Sequence, residues 1–216
     1  MKKELGTYYI GATVADVRVL ETIRHAKMRT HTALRMYRGG REPKMKECHM
    51  TLVPPFHTTY QEATSINLAC ARAKFFETHP LITTRFSLGT MSIMTFGGSA
   101  ILYFHVTFPG GEGERLIFQD YVMAMRNRVE SCEDFSFREA IPKNFLPHIT
   151  ILSLQDRKGE YVVETMLRGN HDIQEMLEEY SSITRILSFL IAYPTIYARY
   201  ANGWKPLSHD PCIVDW

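Results

Sequence analysis

Strand-like and helix-like hydrophobic patterns alternate along most of this chain. The segment TYYIGATV is rich in β-branched and aromatic residues and predicts a strand. From Asp16 the period lengthens, with Val19, Leu20, Ile23, Ala26 and Lys27 at helical spacing towards Tyr37. Two glycines and a proline in RGGREPK break that helix and lead into ECHMTLVPPF, a strand that Pro54-Pro55 is expected to stop. Ala63, Ile66, Leu68, Ala69, Ala73, Phe75 and Phe76 mark a second helix between Gln61 and His79, closed by Pro80. ITTRFSLGTMSIMTFGGSAILYFHVTF reads as a strand pair around Gly97-Gly98. A helix follows through RLIFQDYVMAMRNRVESC, with Leu116, Ile117, Tyr121, Met125 and Val129 near one face. FLPHITILSL is the next strand, and EYVVETMLRG with DIQEMLEEY is a helix interrupted near Gly169-Asn170. TRILSFLIAY and IYARY form a last strand pair.

This order implies an α+β fold of two similar halves, and no Pro/Ser-rich linker divides it, so residues 1–216 read as one domain. With 45% hydrophobic residues the chain can bury a sizeable core. Lys plus Arg number 25 against 23 Asp plus Glu, a net charge of only +2. A grip on long duplex DNA or long RNA, which needs a basic stripe, is therefore not expected, and any phosphate would be caught locally. Cys48, Cys70, Cys132 and Cys212 make no C-x-x-C pair, which fits a reducing cytoplasm. The segment after Met1-Lys2-Lys3 is interrupted by Glu4, Asp16 and Arg18, unlike a signal peptide, and ILSFLIAY is too short to span a membrane.

The chemistry lies in a repeated pattern. His49/Thr51 in CHMTL and His148/Thr150 in PHITI each place His, one spacer and Thr at the start of an apolar strand. Alternation sets each His beside its Thr on one face and turns Met50 and Ile149 to the other. The bare pattern is not specific, because His57/Thr59 and His105/Thr107 share it. His57 follows Pro54-Pro55, where a turn is expected, so a loop role is favoured there, with Thr58 or Thr59 near a helix start. His105 lies in the second arm of a hairpin, and a partly buried structural histidine is the preferred reading.

The remaining two motifs, HMTLVPPF and LPHITIL, resemble the two motifs of the two-histidine (2H) phosphoesterase superfamily, which includes RNA 2',3'-cyclic phosphodiesterases and 2'-5' RNA ligase-like proteins. The resemblance implies a bilobal fold of two pseudo-symmetric lobes, each an antiparallel sheet with outer helices, around a central cleft. It implies that His49 and His148 face one another there as catalytic residues, with Thr51 and Thr150 binding the substrate phosphate. Elementary chemistry makes a parallel demand. Cleaving a phosphodiester takes a base for the attacking oxygen and an acid for the leaving one, and histidine serves either role near neutral pH. Threonine hydroxyls held by stiff rotamers can donate to the non-bridging oxygens.

No metal or other cofactor is expected, since Thr is not a usual zinc ligand and neither motif carries a carboxylate on its His/Thr face. GGEGE lacks the Lys-Ser/Thr of a phosphate loop and reads as a plain loop. Arg38, Arg41, Lys44 and Lys46 fit either a solvated connector or a lid over phosphates, and Tyr8, Phe56 and Tyr193 are stacking candidates for which core packing is the default. The implied partner is a nucleotide or short oligonucleotide: a 2',3'-cyclic phosphate, a 2'-5' linkage or a cyclic signalling oligonucleotide. The superfamily includes phage proteins that degrade the cyclic nucleotides of CBASS antiviral defence, which would place such a protein in a host cytoplasm. A sequestering module that binds without cleaving and an RNA end ligase are the alternatives.

Overall fold

A computed structural model describes residues 5–34, 49–71, 85–96, 99–137, 147–155, 162–183, 187–191, 194–201 and 203–207. In chain order these form β1 (Leu5–Thr13), α1 (Val17–Ala33), β2 (His49–Thr59), α2 (Tyr60–Ala71), β3 (Phe86–Phe96), β4 (Ser99–Thr107), α3 (Glu112–Glu130) and β5 (Ser136–Phe137). Then come β6 (His148–Gln155), α4 (Val162–Gly169), α5 (His171–Ile183), β7 (Ser188–Phe189), β8 (Thr195–Tyr200) and β9 (Gly203–Pro206). The strands join in one antiparallel sheet of order β7-β3-β4-β6-β2-β1-β8-β9, with β5 paired to β2. Reading outward from its centre, β2-β1-β8-β9 mirrors β6-β4-β3-β7, so the two halves expected from element order meet at the β2–β6 seam. That seam is short, with Met50 opposite Ile149 and Thr51 opposite His148. After β7 the chain reaches back across the halves, where Ile191 bridges Val14 and the Ala15 N–H donates to the Leu190 carbonyl (3.3 Å).

Each half is built by patterns visible in the chain. Asp16 caps α1 by accepting the Val19 N–H (3.1 Å), and Val19, Ile23, Ala26 and Thr30 form its buried face. Asn170 separates α4 from α5 and caps the latter through the Ile173 N–H (3.1 Å). The buried faces of α1, α2, α3 and α5 join Ile10, Met50, Leu52, Phe104 and Ile149 in one core on a single side of the sheet. Alternation leaves Tyr9, His49, Thr51, His105, His148 and Thr150 on the other side.

Several expectations need correction. Pro54-Pro55 do not stop β2, which continues to Thr59. They occupy a bulge: Tyr8 pairs with Phe56 and Ile10 with Val53, so Tyr9 faces both prolines. On the other edge, β2 exchanges its pairing with β6 for pairing with β5 across the same stretch, so no ladder bond is demanded of either proline. His57 is therefore a strand residue, with Nδ1 3.1 Å from Thr7 Oγ1, while Thr59 does cap α2 by accepting the Glu62 N–H (3.3 Å). Leu116 and Ile117 are exposed on α3, where Phe118 takes the buried position with Tyr121, Met125 and Val129. The GGEGE segment is not a plain loop, since α3 already begins at Glu112 and Gly111, at φ 81, is the residue before it. The described residues of TRILSFLIAY and IYARY are not paired with each other: β7 adds to β3 at one edge, whereas β8 lies beside β1 and takes β9 as its partner.

The β8–β9 arm is held by a buried side chain. Asn67 of α2 accepts the Ile196 N–H (2.9 Å) and donates to the Leu207 carbonyl (3.0 Å), clipping the strand pair to the helix layer. No helix among the described residues is long and apolar enough to cross a membrane.

Candidate active site

His49 and His148 are the first residues of the two seam strands. The register sets His148 opposite Thr51. His148 thus faces the other motif's threonine, and because His49 shares a face with Thr51 the two histidines lie on a diagonal of one sheet face. Diagonal neighbours of this kind have Cα positions roughly 7–8 Å apart. His49, Thr51 and Thr150 are half-buried, and His148 is only 5% exposed.

The surroundings of the two histidines differ. Tyr9 stacks on the His49 ring (centroids 4.9 Å apart) and brings its hydroxyl to 3.3 Å from Nδ1. Tyr197 of β8 lies parallel to Tyr9 at 4.8 Å and also stacks on His49 at 5.4 Å. Trp204 of β9 closes the group edge-on to Tyr9 at 4.8 Å, and Thr13 Oγ1 lies 3.2 Å from the Tyr197 hydroxyl. Gly11 makes this assembly possible. It pairs with Thr51, and a Cβ there would sit 2.9 Å from Tyr9 Cε2 and 3.2 Å from His49 Cδ2.

His148 has different company. On β4, His105 is its direct cross-strand partner and Tyr103 is that of Thr150. The Tyr103 ring meets His148 at 5.5 Å in a T-shaped contact, and its hydroxyl lies 3.2 Å from His105 Nε2. The same Nε2 lies 3.2 Å from Ser92 Oγ on β3. Burial pushes the His105 imidazole below its ordinary range and the Tyr103 phenol above its own. Both are therefore neutral at pH 7.

All four residues singled out by the two motifs thus converge on one seam. His105, read from its hairpin context as structural, stands beside them. Its signal was the Tyr-x-His alternation in YFHVT, but the neighbour of that strand is a matter of topology. Tyr8 and Phe56 are core residues that pack on each other at 6.1 Å, and the ring that reaches the site is Tyr9, the adjacent position of opposite phase. Trp204 lies in the C-terminal segment where no motif was read. Tyr193, Cys48, Arg38, Arg41, Lys44 and Lys46 fall outside the described residues. Among the described residues, His171, Asp172 and Glu175 place donor atoms within 4.8 Å of one another, exposed at the start of α5 and apart from the seam in sequence.

No protein-family model matches the sequence, and no curated protein sequence matches it. The fold does have solved counterparts. Kluyveromyces marxianus Usb1 superposes with a TM-score of 0.52 at 12% identity, over 95% of this chain and 98% of that one. The structure of Kluyveromyces marxianus Usb1 with uridine monophosphate gives 0.52 at 10% identity, over 94% and 97%. E. coli LigT complexed with phosphate gives 0.45 at 14% identity, over 95% and 96%. The α+β architecture expected from the two motifs, the two-histidine phosphoesterase fold, is the architecture observed.

Proposed function

We propose that this protein is a metal-independent phosphodiesterase acting on RNA-like phosphodiesters in small ligands, with His49 and His148 as general acid and base and Thr51 and Thr150 as phosphate ligands. The observation that carries this reading is the β2–β6 register, which sets His148 opposite Thr51 and so brings both His-x-Thr motifs onto one face at the seam. One imidazole takes the proton of the attacking oxygen while the other protonates the leaving oxygen, and the two hydroxyls donate to the non-bridging oxygens as charge builds there. Attack by the substrate's own 2'-OH would yield a cyclic phosphate; attack by water would yield a monoester. We further take residues 1–216 as one bilobal unit working in a cytoplasm.

A nucleotide or short oligonucleotide is the favoured substrate, because a net charge of +2 provides no extended field for a long polyanion. The two-histidine resemblance and the uridine monophosphate bound by the Usb1 counterpart fit the same ligand class. Cyclic signalling oligonucleotides, and with them a role in evading antiviral defence, form the narrower version of this proposal. The test is a mass-analysed panel of 2',3'-cyclic nucleotides, 2'-5' and 3'-5' oligoadenylates, and cyclic di- and trinucleotides, with and without chelator. Cleavage of short or cyclic members that survives chelation and falls only shallowly with salt is expected. Binding with unchanged mass would replace the reading with a sequestering module. Activity lost to chelator and restored by one divalent ion would overturn the metal-free mechanism, and cleavage confined to long RNA with a steep salt slope would overturn the substrate class.

A further inference from the structure

The seam holds a third histidine that acid–base catalysis by a histidine pair does not use. His105 stands opposite His148, yet its Nε2 is engaged with Ser92 Oγ, on the strand beyond β4, and with the Tyr103 hydroxyl. Because β3 and β6 flank β4 on opposite sides, the Ser92 contact draws this imidazole away from the seam. Tyr103 makes the return connection, with its ring packed on both His105 (4.8 Å) and His148 (5.5 Å). The backbone makes a place for this chain of contacts. Gly89 sits in the irregularity between Leu88 and Met91, and a Cβ there would lie 3.0 Å from His105 Cβ and 3.1 Å from the His105 carbonyl oxygen.

We propose that His105 is a positioning residue: hydrogen-bonded between Ser92 and Tyr103, it fixes the Tyr103 ring against His148 and so holds the His148 imidazole in the orientation that proton transfer requires. The inference rests on the reading of His148 as a proton-transfer group. A neutral imidazole suits this task, since its single Nε2 can be shared by the two hydroxyls in a three-centred contact without setting a second positive charge opposite His148. A ring free to turn spends less time aligned with the phosphate oxygen, so losing the relay lowers turnover and leaves ground-state binding in place.

The test compares His105→Leu, His105→Gln and Tyr103→Phe in the full chain, alone and as the Leu/Phe double variant, on a substrate identified by the panel. His105→Leu and Tyr103→Phe are each expected to lower kcat about 10-fold with KM nearly unchanged, the scale of one well-made hydrogen bond. The double variant should lose no more than either single, because both cut one connection. Gln, whose amide can join both hydroxyls, should recover most of the rate. Wild-type kcat in His105→Leu, multiplicative losses in the double variant, or a Gln variant as slow as Leu would each overturn the proposal, the last by pointing to proton transfer by His105 itself. NMR of the imidazole Cε1–H resonances, assigned with His148→Gln, separates this inference from the functional reading. Movement of the His148 signal in both His105→Leu and Tyr103→Phe, with His49 unmoved, supports positioning even if no substrate is cleaved, and an unmoved His148 signal overturns it.

Discussion

The two histidines occupy equivalent places in mirrored halves of one sheet, yet one rests among rings and the other beside a hydrogen-bonded chain. On the β1 side Tyr9 and Tyr197 stack on His49, and Trp204 packs edge-on against Tyr9. On the β4 side Tyr103, His105 and Ser92 adjoin His148. The difference shows that equal backbone placement leaves side-chain restraint open. Around His49 the restraint is mainly the shape of stacked rings, with one hydroxyl contact from Tyr9, whereas the relay depends on hydroxyl geometry and on the charge of a second imidazole. Substitutions on the two sides should therefore fail in different ways.

The largest effect should ignore that difference. His49→Ala and His148→Ala are each expected to lower turnover by ~10² to 10⁴, the usual scale of one proton-transfer role, with unchanged far-UV circular dichroism. Near-normal turnover in either would break the equivalence of the two positions and remove that residue from the mechanism. Next, Thr51→Val and Thr150→Val keep the branched shape and delete the hydroxyl. Each should lose on the order of 10²-fold in kcat with little change in affinity. An equal loss of affinity and rate in the measured kcat and Kd would reassign the hydroxyls to ordinary binding.

Gly11→Ala sharpens the comparison on the ring side. Its Cβ would meet Tyr9, His49 and, at 3.3 Å, the Met50 carbonyl oxygen, so the stack must shift. Overpacking of this kind costs about 1–3 kcal/mol, readable as a lower Tm, and turnover should drop with it while the His148 NMR signal stays in place. Asn67→Leu acts further out. It strands the Ile196 N–H and the Leu207 carbonyl, at roughly 1–3 kcal/mol for each buried group, and loosens the arm that carries Tyr197 and Trp204. Denaturant unfolding should register that loss, and a variant as stable as wild type would show that β8 and β9 do not depend on the clip.

The smallest effect belongs to the relay side and is a pH effect. Burial lowers the His105 pKa from its ordinary 6.5, so the unfolded chain binds this proton more readily than the folded one. Stability contributed above that range is lost as pH falls, beginning near the ordinary value and levelling once the pH is below the lowered one. Among the described residues, the titratable groups facing His105 are Tyr103, neutral throughout this window, and His148. His105→Gln should consequently show a smaller drop in Tm between pH 7 and pH 5 than the wild type, and an equal drop would assign the acid sensitivity elsewhere.

Element order was largely legible in the chain because strand and helix periods are local properties. Val19, Ile23 and Ala26 announce a helix face wherever that helix docks, and His49/Thr51 and His148/Thr150 share faces in any extended strand. Misreadings arose where a local signal met a non-local remedy. Pro54-Pro55 look like a stop until a bulge opposite Tyr9 and an exchange of strand partners excuse both missing N–H groups. SFLIAY and IYARY look like a hairpin until the chain crosses to the opposite edge of the sheet.

By itself, then, the sequence determined the periods, a helix start near Thr58 or Thr59, and the two His-x-Thr pairs that carry the resemblance to the two-histidine phosphoesterases. Only the tertiary structure decided that β2 and β6 are neighbours, that Tyr9 rather than Tyr8 reaches His49, and that His105 stands opposite His148. The physical reason is that alternation tells which side chains share a face of one strand, whereas strand pairing and register depend on how remote segments bury their common core.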